Sequence, residues 1–365
     1  MTAVADRSGD SFAYNPDYAV PAGATLLDLL ADQGMTQSEL AARTDLSLKH
    51  VNQIIHGVAP ITADTALALE KVTGVPSGTW NRLEGSYRDR LARLEDQQSL
   101  EGDVEWLDTL PLKELRKRGY VPKDVRGGVL VDSVCRFFGV ANRQGWDRVW
   151  RAPLASFRKS KAFAADVGAV ATWLRVGEIQ AAEVDSAPFD AKGFRAALQR
   201  IRGMTEDPAF EPKLVDLCAA NGVAVVFVPE IPGTRASGAA RWLQPGKGLI
   251  QLSLRHKSDD HFWFSFFHEA AHLLLHSKKE TFVTGNVEED EDLEREANDF
   301  AASLLIHKKF DRELRALRTP AEIEAFAKGI GIAPGIVVGR LQNERLLDWR
   351  THANRLKQRI EFIED

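Results

Sequence analysis

Between residues 22 and 75, apolar positions recur every three or four residues in four short runs separated by brief polar breaks. That spacing predicts four short helices. Leu26, Leu27 and Leu30 mark the apolar face of the first. Thr36 is placed to cap the second, from which Leu40 and Ala41 point inward. "TDLS" (44–47) reads as a turn, with Ser47 capping a third helix that buries Val51, Ile54 and Ile55 and closes at Gly57. "TADTALALEKVTG" supplies the fourth. Two helices joined by a tight turn, the second closing on glycine, follow the helix-turn-helix plan.

Further along the pattern changes. "NRLEGSYRDRLARLEDQQ" is a charged helix, and the Trp- and Arg-rich block of about 100–175 reads as helical with few strand signals. "GVAVVFVPEIPG" (222–233) and "GLIQLSL" (248–254) read as buried strands, with "RASGAARWL" as a third between them. A helix follows in which Phe264, Phe267, Ala271 and Leu274 keep the 3–4 spacing, with Asp259 or Asp260 as its cap. After an acidic stretch, "LEREANDFAASLL" is another helix, and the tail reads as short helices.

With 365 residues, 44% hydrophobic and 27% charged, the chain is an ordinary soluble one, long enough for two or three domains. Its longest apolar runs, such as "VGAVATWL" (167–174), are too short to span a bilayer, so no membrane partner is expected. The first residues lack a basic start followed by an apolar stretch, and Cys135 and Cys218 lie far apart in apolar settings. Both features point to the cytoplasm. Charge is unevenly spread: residues 111–161 hold thirteen Lys or Arg against four Asp or Glu, while "EEDEDLEREAND" (288–299) holds eight acidic residues and one Arg. Each run alone reads as a solvated face. Beside DNA-binding and metal-binding candidates they gain interest.

The chemistry concentrates in "FHEAAHLLLH" (267–276). His268 and His272, four residues apart on a helix, share one face and can both reach one Zn2+. Glu269, one residue round, is placed to take a proton from water as the general base of a zinc hydrolase. A third ligand is needed. In the later helix Ala297, Phe300, Ala301 and Leu304 form the predicted buried stripe. Glu294 lies roughly 50° from its centre and Glu296 roughly 110°. Glu294 is therefore the choice and Glu296 the runner-up, with Asn298, at i+4 from Glu294, as a donor that orients a ligand. His276 fits a structural or substrate-facing role better than ligation.

"FHEAAHLLLH" followed by "ExEANxFAxxLL" (294–305) resembles the ImmA/IrrE family of bacterial zinc metallopeptidases over roughly 220–345, including "VVFVPE" and "GIAPGIVVGRLQ". The resemblance implies a minimal zincin fold that cleaves transcriptional repressors, with His268, His272 and Glu294 on zinc and Glu269 as the catalytic base. One departure is visible. The family often places Pro soon after the Leu-Leu pair, whereas this chain reads "LLIHKKF", which puts the local helix end in question. The first hundred residues resemble XRE-type repressors and, more closely, HigA-like antitoxins. Docking of 47–56 in the major groove makes Ser47, Lys49, His50, Asn52 and Gln53 the DNA-facing set, with Gln37 near phosphate. Against this, residues 22–80 carry three basic and six acidic residues, which suits a protein-interaction module unless the basic block or a dimer adds phosphate contacts.

The expected fold class is α+β, mostly α. A flexible arm (1–20), a helix-turn-helix domain (21–98), a helical basic region (99–175), a zincin-like domain with a small sheet (176–310) and a helical C-terminal region (311–365) succeed one another. The expected activity is that of a regulator whose zinc endopeptidase cleaves a repressor or itself on a signal. Its partners are operator DNA at its own promoter, a toxin or neighbouring-gene product, and a second copy of the chain. The rivals are a repressor whose zinc domain only senses or binds, and a hydrolase of another amide. A substrate strand is expected to pair beside 248–254, and the expected scissile linkers are 96–104 and 183–192.

Overall fold

The computed structural model describes residues 18–156, 166–276, 282–284, 291–360 and 362. The expected arm lies outside them up to residue 17, as do 288–290 of the acidic stretch and 157–161 of the basic block. Two compact units emerge. One is Met1–Val104 with Arg126–Val131, the other Glu105–Val125 with Asp132–Asp365.

The first unit opens with α1 (Ala22–Asp32), α2 (Gln37–Thr44), α3 (Leu48–Ile55) and α4 (Ala63–Thr73), followed by the long α5 (Ser77–Gly102). α2, α3 and α4 each carry their own start signal. Thr36 accepts from the Glu39 amide, Ser47 from that of His50, and Thr62 from that of Thr65, satisfying donors that a helix start leaves open. Asp45, at φ 59°, makes the tight turn between α2 and α3. Leu26, Leu30, Leu40, Val51, Ile54, Leu69 and Trp80 form the core. Leu27 does not join it: at 44% exposure it faces outward, because only the i and i+4 positions of that leucine cluster meet α3 and α5. Gly57 ends α3 as the sequence reading has it: it lies left-handed just past the His56 cap, with its amide donating to the Ile54 carbonyl and that of Val58 to Gln53. Residues 96–102 are not a linker either. They are the last turns of α5, whose helical hydrogen bonds are incompatible with an extended cleavage segment.

The second unit contains α6 (Leu112–Lys117), the end of α7 (Gly127–Phe138), α8 (Arg143–Trp146), α9 (Ala152–Ser156), α10 (Val167–Glu183), α11 (Ala191–Arg202) and α12 (Phe210–Ala219). Then come β1 (Val223–Phe227), β2 (Gly238–Gln244), β3 (Lys247–Leu252), α13 (Asp259–Leu275), β4 (Phe282–Thr284) and α14 (Glu291–Leu305). The short α15 (Asp311–Leu314), α16 (Pro320–Ile330) and α17 (Pro334–Asn343) close it. The sheet order is β1-β3-β2-β4, with β1 parallel to β3 and the other pairs antiparallel. Alternation along the strands divides the two faces. Ala240, Ile250 and Leu252 share a core with Phe266, Phe267 and Ala270 of α13, while Arg241 and Gln251 donate to α10 carbonyls at Leu174 and Trp173.

Two expectations change here. β3 lies between β1 and β2, so its backbone is already paired on both sides and cannot receive a substrate strand beside 248–254. Neither Asp259 nor Asp260 caps α13. Ser258 holds that position, and Asp259 turns its carboxylate to the Asp260 amide at 2.9 Å. The second expected linker, 183–192, is coil at 185–190 but is tied down, since the Ala187 and Phe189 amides donate to the Ala219 and Gly246 carbonyls.

Candidate metal centre

α13 is buried on nearly every side, not along one stripe. Phe262, Trp263, Phe266, Phe267, Ala270 and Leu273 all join the core, whereas Phe264 and Leu274 are only partly buried. This burial carries His268, Glu269 and His272 into the interior at 1%, 0% and 1% exposure. α14 packs on α13, with Ala297 and Ala301 at 0% exposure; their small side chains let the helices approach closely. Phe300 and Leu304, expected in the same buried stripe, are half-buried.

The approach of α14 brings Glu294 to the two histidines. Its carboxylate oxygens lie 3.3 Å from His268 Nε2 and 3.1 Å from His272 Nε2, and the two Nε2 atoms are 2.9 Å apart. One donor atom from each residue falls within 4.8 Å of the others. Ligands held at zinc bond lengths of about 2.0–2.1 Å in a tetrahedron are separated by about 3.3 Å. Two imidazoles and a carboxylate are also the nitrogen and oxygen donors that zinc accepts. The residues present therefore fit the ion. Glu296 does not face it. Its carboxylate lies 3.4 Å from His276 Nε2.

Burial also sets the protonation of the pair. It pushes His272 down to about 4, with the neighbouring His268 and His276 adding to the effect against the Glu294 hydrogen bond, so the ring is neutral at pH 7. Burial pulls His268 down too. There the Glu294 hydrogen bond, Glu269 and Asn298 together outweigh it and raise the ring above its ordinary value. Asn298 does lie beside a ligand candidate, but as an acceptor and not as the expected donor, its Oδ1 3.1 Å from His268 Nδ1. An amide oxygen there accepts the Nδ1 proton and leaves the lone pair on Nε2.

Glu269 sits against the backbone of β2. A Cβ at Gly238 would lie 2.4 Å from Glu269 Oε1, so glycine is required for this close approach. No sequence signal marked Gly238, because its role depends on a carboxylate 31 positions away. Ser265 lies one turn before Glu269, and Ser237 one residue before Gly238. A small pocket at the start of α13 is lined by both serines and by His256 and His261, whose rings stack 4.2 Å apart. The family departure also resolves: α14 ends at Leu305 without a proline, and His307 caps the following turn by accepting from the Lys309 amide at 3.1 Å.

Residues 223–341 match the IrrE N-terminal-like domain of the peptidase M78 family, and residues 26–80 match a helix-turn-helix family. The chain carries an IrrE-like domain behind a helix-turn-helix domain. The IrrE-like match includes β1–β3, both histidines, Glu269, Glu294 and Asn298. A solved addiction module antidote protein of the HigA family from Coxiella burnetii is 29% identical, covering 24% of this chain and 95% of that one, with a TM-score of 0.21. No curated protein matches. Among the described residues, no helix is long and apolar enough to cross a membrane.

The helix-turn-helix match supports DNA binding. Lys49 and Asn52 are exposed on α3, and His50 and Gln53 are partly so. Gln37, at the start of α2, is brought to Asn52, which donates to its side-chain oxygen at 3.5 Å. Ser47 is engaged as the cap, accepting from the His50 amide at 3.1 Å.

Proposed function

We propose that this chain is a DNA-binding, antitoxin-like transcriptional regulator whose IrrE-like domain is a zinc-dependent endopeptidase that cleaves a repressor, or the chain itself, in response to a signal. One observation carries the reading. Two neutral-capable imidazoles and a carboxylate converge at 2.9–3.3 Å, and the residue after the first imidazole is a fully buried glutamate. His268, His272 and Glu294 would hold the zinc, and Asn298 orients His268. A zinc ion bound there supplies Lewis-acid polarisation of a peptide carbonyl. Glu269 takes the proton of the attacking water on its carboxylate and returns it to the departing amine, the two-way role of a general acid-base group. In the other unit, Lys49, His50, Asn52 and Gln53 read base edges, Ser47 lies in the same DNA-facing set, Gln37 sits near phosphate, and a dimer matches a palindrome at the chain's own promoter. A toxin or neighbouring-gene product is the expected protein partner.

The test compares the wild-type zinc form with Glu269→Gln, each incubated with neighbouring-gene products and stress extract and followed by mass spectrometry. Wild type should release fragments, while the variant keeps zinc and DNA binding and cuts at least about 100-fold more slowly. If both produce the same fragments, or neither ever cuts while both repress equally, the domain is a sensor in a non-enzymatic repressor.

A further inference from the structure

His276 is the last histidine of "FHEAAHLLLH", and the proposed reaction gives it no task. α13 ends one residue before it, and its amide still donates to the His272 carbonyl at 3.2 Å. Its side chain is 1% exposed. One ring nitrogen, Nδ1, lies 2.9 Å from Nδ1 of His272, and the other, Nε2, lies 3.4 Å from the Glu296 carboxylate. His276 thus stands between a buried imidazole of the metal site and a carboxylate that is 56% exposed.

The proton placement in this chain follows from hydrogen-bond chemistry. Two ring nitrogens in contact need one donor and one acceptor. Nε2 of His272 faces His268 and Glu294, so as a ligand it must present its lone pair there. A neutral His272 then carries its proton on Nδ1 and donates it to His276. His276 accepts at Nδ1 and carries its own proton on Nε2, the nitrogen that faces Glu296. Every proton points outward, from the metal site toward the surface carboxylate. His268 is oriented on the same principle with one partner, its Nδ1 facing the Asn298 oxygen at 3.1 Å.

We infer that His276 is a positioning residue which holds His272 in the tautomer that binds the metal, with Glu296 holding His276 in turn. The inference rests on the reading of His272 as a ligand and does not require peptidase activity. It also explains why two glutamates two residues apart on α14 have different surroundings: Glu294 meets both ligand histidines, and Glu296 meets the histidine behind one of them.

The experiment measures zinc affinity of the full chain by chelator competition, together with exchange of the His272 Nδ1 proton by nitrogen-15 NMR. His276→Leu keeps bulk without an acceptor and should weaken zinc binding about 10- to 100-fold while speeding that exchange. His276→Asn places an oxygen near the lost Nδ1 and should recover most of both readouts, which a merely space-filling role would not predict. Glu296→Ala should cause a severalfold loss of zinc affinity. Equal zinc affinity in wild type and His276→Leu, or equal losses in the Leu and Asn variants, overturns the positioning role. Should His276→Leu fail to fold, an Asn variant no better than a His276→Ala variant overturns it equally. His272→Ala serves to separate the two readings. If that variant keeps zinc, the ligand assignment fails and the positioning role with it. If it loses zinc while His276→Leu does not, only the positioning role fails.

Discussion

The helix-turn-helix unit and the IrrE-like domain are built on opposite terms. In the first, three of the four short helices hold their instructions within their own few residues: Thr36, Ser47 and Thr62 cap α2, α3 and α4 from the adjacent position. In the second, the site has almost no local meaning. Glu294 reaches His268 from another helix, Gly238 makes room for Glu269 from a strand, and β1 pairs with β3, not with its sequence neighbour β2. Substitutions in the first unit should therefore have modest, local effects, and those in the second larger effects that depend on distant partners.

The largest effect is expected at the metal ligands. Glu294→Ala should reduce zinc content from about one ion per chain to nearly none, because two histidines alone leave the ion short of its third protein ligand. Glu296→Ala, two residues away, should retain zinc at saturating metal. Elemental analysis of both variants decides the matter, and the reverse pattern would exchange their roles.

Next comes a pH effect at the start of α13. Asp259 is 1% exposed, its Oδ2 has no hydrogen-bond partner among the described residues, and burial followed by the Asp260 charge raises its carboxyl from 3.8 to about 6. A folded-state value above the unfolded one means that folding favours the protonated form. Its contribution is complete below about pH 4 and is lost as pH rises through about 6. Asp259→Asn should remove that loss. The stability difference between variant and wild type, measured by denaturant titration, should shift in the variant's favour by about 2–3 kcal/mol between pH 4 and pH 7. A difference independent of pH would mean that folding does not raise the Asp259 carboxyl.

A third measurement tests the close approach of strand and helix. A Cβ at Gly238 would meet the Glu269 carboxylate at 2.4 Å, whereas at Gly246 it would meet nothing within 4 Å. Gly238→Ala should cost about 1–3 kcal/mol of stability or displace Glu269 and slow cleavage. Gly246→Ala should do neither. Equal behaviour of the two would show that the Glu269 side chain is free to move.

The smallest effect belongs to the first unit. Ser47→Ala removes the oxygen that accepts from the His50 amide at 3.1 Å and should cost about 1 kcal/mol. Hydrogen exchange should show that loss in α2 and α3 without change at α13. Spread of the effect into the IrrE-like domain would break the contrast between the units.

The helices of the first unit, the strands near 223, 238 and 247, and the shared helix face of His268 and His272 were legible because each rests on short-range physics. Caps act within three residues, amphipathic spacing repeats every three to four, and two histidines at i and i+4 share a face whatever surrounds them. Even Glu294 could be chosen over Glu296, since a helix wheel separates positions two residues apart by about 200°. Tertiary structure decided the rest. Leu27 turned outward because its neighbours took the contacts with α3 and α5, and 96–102 became helix although its composition reads as linker. β3 became a central strand through pairing on both sides. Gly238 facing Glu269 and His276 linking His272 to Glu296 required elements far apart in sequence to meet. Side-chain identity along one helix determines which groups can bind a metal; the packing of other elements against it determines their orientation, protonation and access.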